Sequence, residues 1–125
     1  MSESRVALAG SARRIPRGAS NIRPANPGEP VSVSLYGVDR ANRQRVEAFA
    51  AAHGLTAEGF DAGRRFMQLS GNIGAMQHAF GVNVRSFEVG GQTFRAHTED
   101  ISVPKELHGI SVFGLDNLPA ARPRD

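Results

Sequence analysis

The chain has no cysteine, no tryptophan and a single tyrosine. Without cysteine there are no disulfides, no thiolate metal sites and no cysteine nucleophile. The compartment stays open, because a protein secreted into acid can also do without thiols. Long apolar runs are missing too: none approaches the roughly 18 residues of a membrane span. The apolar stretch Val6 to Ala9 is shorter than the about 7–15 residues of a signal-peptide core. Export is therefore expected to use another route or a segment outside this chain.

Catalytic signatures are equally scarce. Phosphate-loop, dinucleotide, nucleophile-elbow and zinc-peptidase motifs are all absent. His53, His78, His97 and His108 share no ligand spacing, so no metal is expected. Gly71-Asn-Ile-Gly74 follows a strand pattern and lacks neighbouring basic residues, so it reads as a turn and helix cap, not a nucleic-acid clamp. The adjacent Glu99 and Asp100 read as exposed loop residues. Nothing assembles a nucleophile, a base and an oxyanion site, and an enzyme is not expected.

The net charge of +3 lies in the tails. Arg40, Arg43, Arg45, Arg64, Arg65, Arg85, Arg95 and Lys105 nearly balance Asp39, Glu47, Glu58, Asp61, Glu88, Glu99, Asp100, Glu106 and Asp116 in the middle of the chain. The excess comes from Arg5, Arg13, Arg14, Arg17 and Arg23 at one end and Arg122 and Arg124 at the other. Pro16, Pro24, Pro27 and Pro30 punctuate the start without a hydrophobic period. Residues 1–30 are accordingly expected to be a flexible basic arm, 31–117 one compact domain and 118–125 a linker.

Within the compact region, Val31 to Tyr36 alternates apolar and polar residues, as a half-buried strand does. Val46, Phe49, Ala50 and His53 share one helical face. The spacing predicts a helix from about Arg40 to His53, capped by Asp39 and stopped by Gly54. Leu55 to Phe60 and Arg64 to Ser70 read as strands. Asn72 is expected to cap a helix over Ile73–Phe80, with Gly81 ending it. Val82 to Val89 and Thr93 to Ala96 form a hairpin around Gly90-Gly91. Ile101 to Val103 is a short extended piece, Pro104 to Leu107 one helical turn, and Ile110 to Leu115 a last strand. Two helices on one face of a mostly antiparallel sheet make an α+β, ferredoxin-like architecture.

The helices would cover the face of Val33, Leu35, Met67, Leu69, Val82 and Val84. The opposite face would then carry Tyr36, Phe66 and Phe87 beside Gln68, Arg85 and Arg95. Aromatic rings with arginine on an uncovered sheet suit an interface better than a solvated surface.

Several blocks resemble a known family. They are Ala48-Phe-Ala-Ala-Ala-His-Gly-Leu55, Gln68-Leu-Ser-Gly71, Met76-Gln-His-Ala-Phe-Gly-Val82, Gly91-Gln-Thr-Phe-Arg95, Ile101-Ser-Val-Pro104, Gly114-Leu-Asp-Asn117 and Ala121-Arg-Pro123. Together they are similar to the pro-kumamolisin activation domains, the prosegments of sedolisin-type serine-carboxyl peptidases. The segment between Tyr36 and Val46 is shorter than the family pattern.

The resemblance implies a ferredoxin-like propeptide that docks on a sedolisin-type peptidase domain, in cis or in trans. It implies folding assistance, blockade of the active site and removal in acid, with export as part of a precursor. The linker would run through Arg122, Pro123 and Arg124 toward a peptidase domain beyond this chain. The family's catalytic residues and calcium site belong to that peptidase domain, so no cofactor is expected here. The alternative is a stand-alone α+β module for protein or RNA binding through the arginine-rich arm. RNA affinity of that kind would fall steeply with salt.

Overall fold

A computed structural model describes residues 4–118. In chain order the elements are β1 (Arg5–Ala7), β2 (Ser20–Pro24), β3 (Pro30–Tyr36), α1 (Arg43–Ala52), β4 (Thr56–Asp61), β5 (Phe66–Asn72), α2 (Ile73–Phe80), β6 (Val84–Val89), β7 (Gln92–His97), β8 (Ser102–Pro104) and β9 (Ser111–Phe113). A single 3-10 turn, Lys105–Leu107, separates β8 from β9.

The alternation in β3 organises the main sheet. Val31, Val33 and Leu35 are buried, whereas Ser32 and Tyr36 are exposed and Ser34 is half-buried. Strand β5 pairs with β3 over its whole length, from Pro30 opposite Asn72 to Tyr36 opposite Phe66. The strand order is β4-β5-β3-β9, and every neighbour is antiparallel. β3 and β4 therefore run parallel with β5 between them, joined through α1. β5 and β9 run parallel with β3 between them, and α2 lies in their connection. Two interleaved split β-α-β units of this kind are the ferredoxin-like arrangement, and the α+β class read from the sequence holds.

Both helices pack on the apolar side of this sheet. Val46, Phe49 and Ala50 come from α1, and Ile73, Met76, Ala79 and Phe80 from α2. They join Val31, Val33, Leu35, Met67, Leu69 and Val112 in one core. The rings of Phe49 and Phe80 lie 5.6 Å apart and tie the helices together. Complete burial of such a side chain is worth about 1.5–3 kcal/mol.

The second helix has the expected bounds. Asn72 Oδ1 accepts from Ala75 N at 2.8 Å, and Gly81 closes the helix with a left-handed φ of 68°, a geometry that costs glycine little. The first helix is shorter than the sequence reading, beginning at Arg43 after an Asn42 cap. Asp39 and Asn42 exchange hydrogen bonds, each side chain accepting from the other's main-chain N–H at 2.8 and 3.0 Å. Such a local pair holds a turn where helix would otherwise start.

Two readings need correction. The β6–β7 hairpin does not extend the main sheet; it forms a separate three-stranded sheet in the order β2-β6-β7. The main-sheet position beside β3 belongs to β9, and the pairing edge of β6 is taken by β2. Residues 1–30 were expected to be an arm, yet β1 pairs with β8 and β2 with β6. Main-chain pairing gives these strands partners that a hydrophobic period does not reveal. The arm's Arg5 donates to Ala79 O at 2.6 Å and Ser102 O at 2.8 Å, placing a cation at the C-terminal end of α2.

A carboxylate joins the hairpin sheet to the following loop. Glu99 accepts from Asn83 N and Asn83 Nδ2, both at 3.2 Å. Burial pushes its carboxyl up, but the Asn83 main-chain and side-chain hydrogen bonds, one from its own main chain and the nearby Arg85 together hold it below its ordinary value. A carboxyl lowered in the folded state stabilises above its unfolded pKa, about 4.3 for Glu, and loses that contribution as pH falls through the folded pKa. Glu99→Gln should therefore be less stable than the parent above pH ~5, by less than about 1 kcal/mol given its exposure. Thermal unfolding across pH should show this difference closing in stronger acid.

Candidate docking face

The side of the main sheet away from the helices is built by strand period. Register aligns Ser111, Tyr36 and Phe66 across β9, β3 and β5, with Asp61 of β4 beyond Phe66. The next row is Phe113, Ser34, Gln68 and Glu58, and the next Ser32, Ser70 and Thr56. Aromatic side chains therefore gather at one end, Gln68 and serine or threonine hydroxyls occupy most of the rest, and the carboxylates of Asp61 and Glu58 line the β4 edge.

Tyr36 sits between two rings, 5.4 Å from Phe66 and 5.8 Å edge-on from Phe113. Tyr36 is 38% exposed and Phe113 59%, although neighbouring rings of this kind gain most when water is excluded. The Arg64 guanidinium lies 5.2 Å from the centre of the Phe66 ring, a cation–π contact. Ser32 Oγ and Ser70 Oγ are 3.2 Å apart. The surface offers apolar area at one end, neutral hydrogen-bonding groups beside it and charged groups at the Arg64 and β4 margin, an arrangement that suits a protein interface.

Of the six residues read as an open face, the structure brings together Tyr36, Phe66 and Gln68. The other three lie in the hairpin sheet. Phe87 is fully buried, its ring 6.3 Å from that of Phe94. Arg85 is exposed but stands opposite Pro24 and Ala96 in that second sheet. Arg95 is largely buried and bonded within the chain. All three were misplaced because β6 was assigned to the main sheet. The sequence reading missed Phe113. Its signal was the alternation of Ser111, Val112 and Phe113, in which only Val112 is buried.

The main chain leaves β9 through a closely held segment. Gly114 has φ 114°, and a Cβ there would lie 2.9 Å from Ser32 O and 3.3 Å from Val33 Cα. Leu115 is buried in the core. Asp116 forms an ion pair with Arg13, and Asn117 N donates to Arg95 O at 3.1 Å. Arg122, Pro123 and Arg124, read as part of the linker, lie outside the described residues.

Among the described residues, no group of three or more His, Asp or Glu side chains is placed to hold a metal ion. A cleft of about 350 Å³ between α1 and the 3-10 turn has Phe49 and Leu107 among its lining and Arg45, His53 and Glu106 as its charged or titratable groups.

A family model described as "Pro-kumamolisin, activation domain" matches residues 32–118. The chain belongs to the pro-kumamolisin activation-domain family. The matched stretch of this activation domain takes in most of the four-stranded sheet, both helices and the exit segment. Kumamolisin of Bacillus sp. (strain MN-32) is 34% identical over 90 residues. That match covers 70% of this chain and 16% of the relative's length.

Gly114 combines a left-handed φ with main-chain atoms where a side chain would go. Gly114→Ala should lower unfolding free energy by about 2–4 kcal/mol, measured by urea titration.

Proposed function

We propose that this activation domain is the propeptide of a sedolisin-type peptidase. It docks on the peptidase, assists its folding and blocks its active site until acid activation removes it. The family match over residues 32–118 carries the reading, and the uncovered aromatic face supplies a physical means of docking. Exposed rings packed edge to face gain when a partner removes their remaining water. The module works in cis as a prosegment, and the same surface would allow action in trans. In this reading catalysis and calcium binding belong to the peptidase domain, and export follows from the precursor.

Mixing the chain with a mature sedolisin-type peptidase at neutral pH should slow peptide hydrolysis, and acidification should relieve the block. Unchanged hydrolysis at micromolar chain concentrations would sink the proposal. The docking face has its own test. Tyr36→Ser with Phe113→Ser should weaken inhibition at least about tenfold, as loss of aromatic hot spots does. Circular dichroism should show a retained fold, because both side chains are already partly solvated. A double variant that inhibits like the parent would exclude this face as the docking site.

A further inference from the structure

Two segments far apart in sequence meet at one side chain. Arg95 of β7 donates from Nε to Leu115 O at 2.9 Å and from Nη2 to Gly114 O at 3.1 Å. Its Nη1 lies 3.7 Å from Glu29 Oε2. The main chain of the same residue adds a reciprocal pair. Arg95 N donates to Asn117 Oδ1 at 2.6 Å, and Arg95 O accepts from Asn117 N at 3.1 Å. Arg95 thus grips the chain at Gly114, Leu115 and Asn117, immediately after β9 ends at Phe113.

The need for such a grip follows from main-chain chemistry. Gly114 and Leu115 have left the sheet, so their carbonyls have no ladder partner and require another donor. A guanidinium carries its donors on a rigid planar fork and can serve two successive carbonyls and a carboxylate together. An ammonium is a point charge on a flexible stem and cannot span that set. The contacts are well placed to matter, since the Arg95 side chain is only 19% exposed. Asn117 also occupies the edge of β7 that β6 does not use. On the same strand, His97 O accepts from Arg13 N at 2.9 Å, and Arg13 in turn pairs with Asp116. The exit segment is therefore held at both Asp116 and Asn117.

The geometry points to Arg95 as a positioning residue that sets the path by which the chain leaves the domain. Its consequence for inhibition rests on the propeptide reading: Arg95 aims the linker, while the aromatic face on the other sheet makes the docking contact. Loss of Arg95 would leave the docking face intact and let the linker wander.

Amide hydrogen exchange on the full chain tests the clamp without any peptidase. In Arg95→Met the Asn117 amide should exchange at least about tenfold faster, as expected for losing charge-assisted hydrogen bonds. Amides of Leu35 and Leu69 should stay near the parent rates. Arg95→Lys should resemble Arg95→Met. An unchanged Asn117 rate, equal acceleration in β3 and β5, or full rescue by lysine would each overturn the assignment. Should Arg95→Met fail to fold, Asn117→Ala removes the side-chain amide, and with it the Oδ1 that accepts from Arg95 N. The Arg95 amide should then exchange about tenfold faster, and an unchanged rate counts against the clamp.

Inhibition assays separate the two roles. Arg95→Met should raise the inhibition constant at least about tenfold, a shift typical of lost preorganisation. Tyr36→Ser with Phe113→Ser should raise it without altering exchange at Asn117. Parent-like inhibition by Arg95→Met would overturn the aiming role. A parent chain that fails to inhibit would end the propeptide reading, and exchange alone would still judge the clamp.

Discussion

Strand β3 lies between β5 and β9, and its two-residue period governs both sides of the main sheet. Val31, Val33 and Leu35 enter the core, so Ser32, Ser34 and Tyr36 must face the other way. Pairing propagates this choice to Met67 and Leu69 on one side and Phe66 and Gln68 on the other. A one-residue slip would exchange the two sets. The helices need the apolar set, and the proposed docking face consists of what remains. Core formation and site formation are thus one event, which explains how a chain of this size presents aromatic rings to solvent while keeping a closed core.

The exit segment depends on the same strand. Gly114 approaches Ser32 and Val33 closely enough to exclude a side chain, and Leu115 then re-enters the core. Arg95 reaches these carbonyls from the hairpin sheet, while Glu29, just before β3, lies on its other side. One guanidinium therefore ties together the approach to β3, the edge of β7 and the departure from β9. The proposed docking face and the proposed linker clamp lie on different sheets, which makes them separable by substitution.

Much of this was legible in residue order. The alternation of Val31 to Tyr36, the cap at Asn72 and the stops at Gly54 and Gly81 are local features, and each has a local physical cause. Gly54 and Gly81 both have positive φ. Tyr36, Phe66 and Gln68 were legible as face residues because their own strands alternate. Strand β2 was not: Ser20-Asn-Ile-Arg-Pro24 has one large apolar side chain, and Ile22 is 51% exposed. Its existence depends on hydrogen bonds to β6 that no side-chain pattern announces.

Residue order was sufficient for the α+β class, the elements from β3 onward and the inward or outward parity within β3 and β5, since these follow from backbone period and caps. The family blocks were also visible there, though their physical roles were not. Folding in three dimensions assigned the place beside β3 to β9, because strand partnership depends on which extended segments reach which edge. That assignment removed Phe87, Arg85 and Arg95 from the open face, added Phe113, and brought Arg95 to the carbonyls of Gly114 and Leu115. A side chain's face is set by its neighbours in sequence, but its partner is set by long-range strand pairing.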